Sequence, residues 1–98
     1  MSDISAHDLK KRIDSGDQIT LIDVREPYEH EEFNIGGDNL PLAAIMDWSE
    51  ELNLPAETEI VLYCRSGNRS AMAKSVLASK GFSAVRNLIG GIVAWKEL

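Results

Sequence analysis

The chain has 98 residues, 44% of them hydrophobic and 27% charged, with a formal net charge of −6 at pH 7. That length allows one hydrophobic core, so residues 1–98 are read as a single domain, and the apolar content excludes a disordered chain. Sixteen acids against ten cations, with no basic stripe, exclude a nucleic-acid partner, and no apolar run approaches the roughly 20 residues that cross a bilayer.

Taken in chain order, Ser5 starts a capping pattern with Asp8 at the third helical position, and Ile4 and Leu9 are spaced to staple across it. Ala6, Leu9 and Ile13 share one helical face, which Gly16 ends. Ile19 to Val24 is a short, nearly continuous apolar run, the pattern of a strand buried on both faces of a parallel sheet. Pro27 fits the first turn of a brief helix over about Tyr28 to Phe33, and Gly36-Gly37 breaks it. Asn39-Leu40-Pro41-Leu42 reads as an edge strand, because proline is tolerated there.

Ala43 to Leu52 follows as a helix, and Glu59 to Cys64 as a second buried strand. Ser70 to Lys80 is a helix offering Ala71, Met72, Val76 and Leu77 to the core; Gly81 stops it and Phe82 packs back on its last turn. Val85 to Leu88 is a last strand and Ile92 to Leu98 a last helix, after Gly90-Gly91. The alternation predicts an α/β fold with a parallel sheet. Glu26, Glu29, Glu31, Glu32, Glu50 and Glu51 read as solvated helix faces, and His7 and His30 as surface residues. Trp48 and Trp95 read as core anchors, and Met46 and Met72 as core filler.

The chemistry concentrates at Cys64, the only cysteine. With one thiol there is neither an intrachain disulfide nor a thiolate metal cluster, and Met1-Ser2-Asp3-Ile4 lacks the regions of a signal peptide; a reducing cytoplasm is the expected setting. Cys64 ends an apolar strand and precedes Arg65-Ser66-Gly67-Asn68-Arg69-Ser70 and a helix. Backbone N–H groups and the helix dipole at such a turn favour thiolate over thiol, so Cys64 reads as a nucleophile. Gly67 lets the loop curl its N–H groups inward. Arg69 is placed to hold an anionic substrate with its forked donors, and Arg65 to steer substrate at the rim. Ser66 and Ser70 read equally as hydroxyl donors or as turn residue and helix cap. Asp23 and Arg25, at the end of the neighbouring strand, read as braces for these loops, since a carboxylate beside the sulfur would oppose its ionisation.

Three segments carry a family resemblance: Leu21 to Glu29 with its Asp23-Val24-Arg25 strand end, Ile60 to Ser70 with the cysteine loop, and Asn87 to Trp95 with Gly90-Gly91-Ile92-Val93-Ala94-Trp95. Together they resemble a rhodanese domain across essentially the whole chain. The resemblance implies a central parallel five-stranded sheet flanked by helices on both faces. It also implies that Cys64 carries a sulfane sulfur as a persulfide, with Arg65 to Ser70 as the loop around it. One stretch departs from the common Gly-His-Ile-Pro-Gly-Ala: here it is Phe33-Asn34-Ile35-Gly36-Gly37-Asp38. This variant resembles rhodanese domains attached to adenylating enzymes that make thiocarboxylated sulfur carriers.

The implied activity is sulfur transfer from thiosulfate, or a similar small anion, to a thiol or protein acceptor, with no metal or organic cofactor; a monomer is the default expectation. Spacing separates this from cysteine phosphatases: Cys64 to Arg69 is Cys-x4-Arg, one residue short of the Cys-x5-Arg that cradles a phosphate. The remaining alternatives are a non-catalytic rhodanese-fold interaction module, a phosphatase, and a thiol sensor that lacks a resolving cysteine.

Overall fold

Aliphatic residues that alternate between two apolar surroundings build the centre of the molecule. In the computed structural model, which describes residues 1–98, Ile60, Leu62 and Cys64 join one core cluster, and Val61 and Tyr63 the other. This period of two is that of a strand with both faces covered. The elements are α1 (Ala6–Asp14), β1 (Thr20–Asp23), α2 (Pro27–Glu32), β2 (Asp38–Asn39), a 3-10 turn (Leu42–Ala44) and α3 (Ile45–Glu51). β3 (Ile60–Tyr63), α4 (Asn68–Ser79), β4 (Val85–Asn87) and α5 (Gly91–Lys96) follow. All strand pairs are parallel, in the order β2-β1-β3-β4. Residues of α3 and α4 pack on one face, and those of α1 and α5 on the other.

The sheet has four strands where five were expected. The N-terminal segment adds a single bridge, Ile4 to Leu88, in which Ile4 N donates to Asn87 O at 3.1 Å and Ile89 N to Ile4 O at 2.9 Å. Pairing stops there because the next residue, Ser5, is already the cap of α1, its Oγ accepting from Asp8 N at 3.0 Å. β2 is also shorter than expected. Leu40 N and Leu42 N still donate to Asp23 O and Val24 O, but Pro41 between them has no N–H, and the chain turns into the 3-10 helix.

α4 starts at Asn68, two residues before the expected Ser70, because Gly67 caps it at φ +106° and Gly67 O takes the first helical bond from Ala71 N. The inward face is therefore Ser70, Ala73 and Leu77, with Val76 at its edge, while Ala71 faces solvent and Met72 is 61% exposed. Met46 is likewise 64% exposed, since Ile45 and Trp48 take the inward positions of α3. Neither methionine fills the core. Trp48 does: it is buried and donates Nε1–H to Pro41 O at 2.8 Å. Trp95 is half-buried against the other cluster. Phe82 packs on the core beside its bond to Leu77 O, as its position after Gly81 implied.

Candidate active site

β1 and β3 lie side by side with Asp23 opposite Tyr63, so the segments after them leave the sheet together. The strand order also reverses between this pair, since β2 lies outside β1 and β4 outside β3. In open parallel sheets such a switch point, beyond the strand C-termini, is where ligands bind. The Asp23-Val24-Arg25 and Cys64-to-Ser70 segments meet there, as the two strand ends predicted.

Cys64 is 1% exposed, at the floor of its loop. Gly67 N donates to its Sγ at 3.0 Å, and the Ser70 Oγ lies 3.4 Å from it. Burial pushes the thiol up, but the Ser70 hydroxyl and the N–H groups of Ser70, Gly67 and Ser66 outweigh it and hold the pKa below its ordinary value. The loop's shape comes from α5. Ile92 N donates to Cys64 O at 2.9 Å and Val93 N to Arg65 O at 3.0 Å, turning the first two loop carbonyls outward. That leaves the following N–H groups to face the sulfur. Gly91 makes the approach possible: a Cβ there would sit 2.4 Å from Cys64 O and 2.6 Å from Arg65 O.

Asp23, read as a brace for the loops, is fully buried and paired with Arg25. It accepts Arg25 Nη2 at 2.7 Å through Oδ2, and Arg25 Nε at 2.9 Å and the Arg25 backbone N at 3.0 Å through Oδ1. The same Arg25 Nη2 donates to Phe33 O at 2.6 Å, tying the end of β1 to the residue that closes α2. His30 is not the surface residue its position suggested: Nδ1 hydrogen-bonds Asp23 Oδ2 at 2.9 Å, because the short α2 folds back over the end of β1. His7 is exposed, as expected.

Glu29 also departs from its reading as a solvated helix face. Its two oxygens take Arg69 Nη1 at 2.7 Å and Nη2 at 2.9 Å, a forked pair joining α2 to the cysteine loop. The Arg69 bond draws the Glu29 carboxyl down to about 2, against the burial that would raise it. An anion bound by Arg69 must therefore share or displace Glu29. Arg65 is exposed, and its guanidinium has no carboxylate partner. Ser66 and Asn68 are exposed too. Ser70 is not the helix cap; its side chain is buried, with Oγ 3.4 Å from Cys64 Sγ.

A groove of about 630 Å³ opens beside the loop, lined by Arg65 and Val93 together with Tyr28, Glu29, Phe33 and Lys96 among others. A second cleft of about 640 Å³ lies along α1 and touches none of the loop residues. No three His, Cys, Asp or Glu side chains converge to hold a metal ion, and no helix is long and apolar enough to cross a membrane.

Glu29, His30 and Asn87 are the site neighbours that the sequence did not single out. Glu29 carried one signal, its place three residues after Glu26 at the start of α2, where its Oε1 accepts Glu26 N at 3.1 Å. Asn87 carried none, because a polar residue ending a strand ordinarily faces water.

The family model described as the rhodanese-like domain matches residues 5–98. A probable adenylyltransferase/sulfurtransferase, MoeZ of Mycobacterium tuberculosis, is 41% identical over 97 residues; the match spans 98% of this chain and a quarter of that protein. A sulfurtransferase of Allochromatium vinosum is 34% identical over 95 residues, covering 97% of this chain and 88% of its own. Among solved structures, the human single-domain sulfurtransferase TSTD1 superposes with a TM-score of 0.81 at 25% identity, over 97% of this chain and 95% of its own.

Proposed function

Since the chain belongs to the rhodanese-like domain family, we propose that it is a sulfurtransferase that moves a sulfane sulfur through a persulfide on Cys64. The observation that carries this reading is the loop itself: a buried sulfur receiving Gly67 N–H, encircled by N–H groups, in a four-residue gap before Arg69. Such a cup suits one extra sulfur atom and is small for a tetrahedral phosphate.

The Cys64 thiolate attacks the outer sulfur of thiosulfate; the S–S bond of the donor breaks and sulfite leaves with the electron pair. The loop N–H groups hold the persulfide as they held the thiolate. An acceptor nucleophile, cyanide in an assay or a thiol or protein in the cell, then takes the outer sulfur and returns Cys64 to thiolate. With a single thiol the two half-reactions alternate, which is ping-pong behaviour. Arg65 at the rim steers the anion in, and the Arg69–Glu29 pair and the Asp23–Arg25 brace hold the loop for it. No metal or organic cofactor takes part. The chain acts as a single domain and a monomer, in a reducing compartment that keeps Cys64 free.

Incubation with thiosulfate should add the mass of one sulfur atom to the protein, and cyanide should remove it as thiocyanate. Cys64→Ala should do neither. An unchanged mass after thiosulfate, or transfer that survives in Cys64→Ala, would overturn the reading; turnover of an aryl phosphate would favour the phosphatase alternative.

A further inference from the structure

Ser70 is asked for more protons than it has. Its Oγ lies 2.5 Å from Asn87 Oδ1, 3.3 Å from Gly67 O and 3.4 Å from Cys64 Sγ, and a hydroxyl has one hydrogen to donate. Gly67 O does not need it, because Ala71 N and Asn87 Nδ2 each already donate to that oxygen at 3.0 Å. The contest is between Asn87 and the sulfur.

Asn87 cannot turn away from it. Its Nδ2 is held by Gly67 O, so its Oδ1 must face Ser70, and its backbone N is anchored on Asp3 Oδ1 at 2.9 Å. Asn87 Oδ1 has no donor besides Ser70, in a residue that is 9% exposed. A buried acceptor without a donor is costly, so turning the hydroxyl toward sulfur leaves Asn87 unsatisfied.

We propose that Asn87 is a positioning residue that competes with Cys64 for the Ser70 hydroxyl hydrogen and so sets how readily the resting sulfur ionises. With a neutral thiol, the hydrogen points to Asn87. When a thiolate or persulfide anion forms, it rotates about the Cβ–Oγ bond to the sulfur and stays on Oγ throughout. The device rests on the reading of Cys64 as the sulfur carrier, whose two half-reactions leave it alternately as thiolate and persulfide.

The charged groups of the surrounding elements are Arg65 and Arg69 on the loop and α4, Lys74 on α4 with its partner Asp3, Arg86 on β4 with its partner Glu59, Glu29 on α2, the Asp23–Arg25 pair after β1, and Lys96 and Glu97 at the end of α5. None of them bonds Ser70 or the Asn87 side chain. The competition can therefore be isolated from them.

The rate of iodoacetamide alkylation of Cys64, followed against pH, reads the ionisation directly and without any sulfur donor. Asn87→Leu should move the profile to lower pH. At a pH below the wild-type midpoint, alkylation should speed up by about three- to tenfold, the worth of one neutral hydrogen bond. In a Ser70→Ala background the same Asn87→Leu change should leave the profile where it is. If Asn87→Leu does not fold, Asn87→Ala is expected to act in the same direction. A profile that stays put in the presence of Ser70, or moves equally with and without it, overturns the proposal. Thiosulfate loading, measured by mass, separates that outcome from a failure of the sulfurtransferase reading.

Discussion

Asp23 has no route to water and Arg25 almost none, so each depends on the other. Taking away one member of a buried ion pair leaves the other charge stranded, at a cost of about 3–5 kcal/mol. Asp23→Ala should therefore lower the free energy of urea unfolding by that amount, with Arg25 and His30 both losing their carboxylate. A variant within about 1 kcal/mol of wild type would show that water replaces the carboxylate, the usual result for an exposed pair. The pairing also keeps the Asp23 carboxylate engaged with Arg25 and His30. The Asp23-Val24-Arg25 strand end was picked out from residue types alone. His30 was not, because nothing in a local pattern says that α2 folds back onto β1.

Between elements, the decisive contact is α5 against the cysteine loop. Gly91 stands at φ +56° with the Cys64 and Arg65 carbonyls where its side chain would be. Gly91→Ala should push α5 off the loop, break the bonds from Ile92 N and Val93 N, and reduce sulfur loading by at least about tenfold, as misplacement of a reacting group does. Gly16 is the control. It also has positive φ, +82°, but no atom lies within 4 Å of its would-be Cβ. Gly16→Ala should cost about 1 kcal/mol of stability and leave the loading rate unchanged. Equal losses of loading in the two variants would show that backbone conformation matters and the close approach does not. The Gly-Gly pair was visible in the sequence, and its use as a helix start was expected. That the second glycine makes room for the cysteine's own carbonyl depends on two segments separated by more than twenty residues.

For the molecule as a whole, the Glu29–Arg69 pair ties the end of the β1 arm to the β3 arm across the switch point, and its carboxyl titrates far below the ordinary range. A carboxyl depressed in the folded state adds stability above its unfolded pKa and loses it as the pH falls through the folded one. Here the window runs from about pH 5 down to about 2. Arg69 is 35% exposed, so solvent screening cuts the contribution to roughly 1–2 kcal/mol. Glu29→Gln should lower stability by that amount at pH 6 and by much less at pH 2.5, measured by urea unfolding at both. A deficit that persists at low pH would mean that Glu29 acts through its shape and packing instead of its charge.

Local chemistry was enough to order the elements: apolar runs of strand length, a Ser5 cap, glycines at helix ends, and a lone cysteine at a strand end are each decided by a few neighbouring residues. Spacing along one chain was enough for the four residues between Cys64 and Arg69, on which the proposal of sulfur over phosphate rests. Partners were another matter. Arg69 has its fork bound to Glu29, Ser70 has its hydrogen pulled toward Asn87, and the expected fifth strand is one residue long because Ser5 caps a helix. Which carboxylate meets which guanidinium, and which acceptor wins a single hydrogen, are set by ångström distances between segments brought together from different strands. A sequence states what each side chain can donate or accept; only the packed sheet decides what stands within reach.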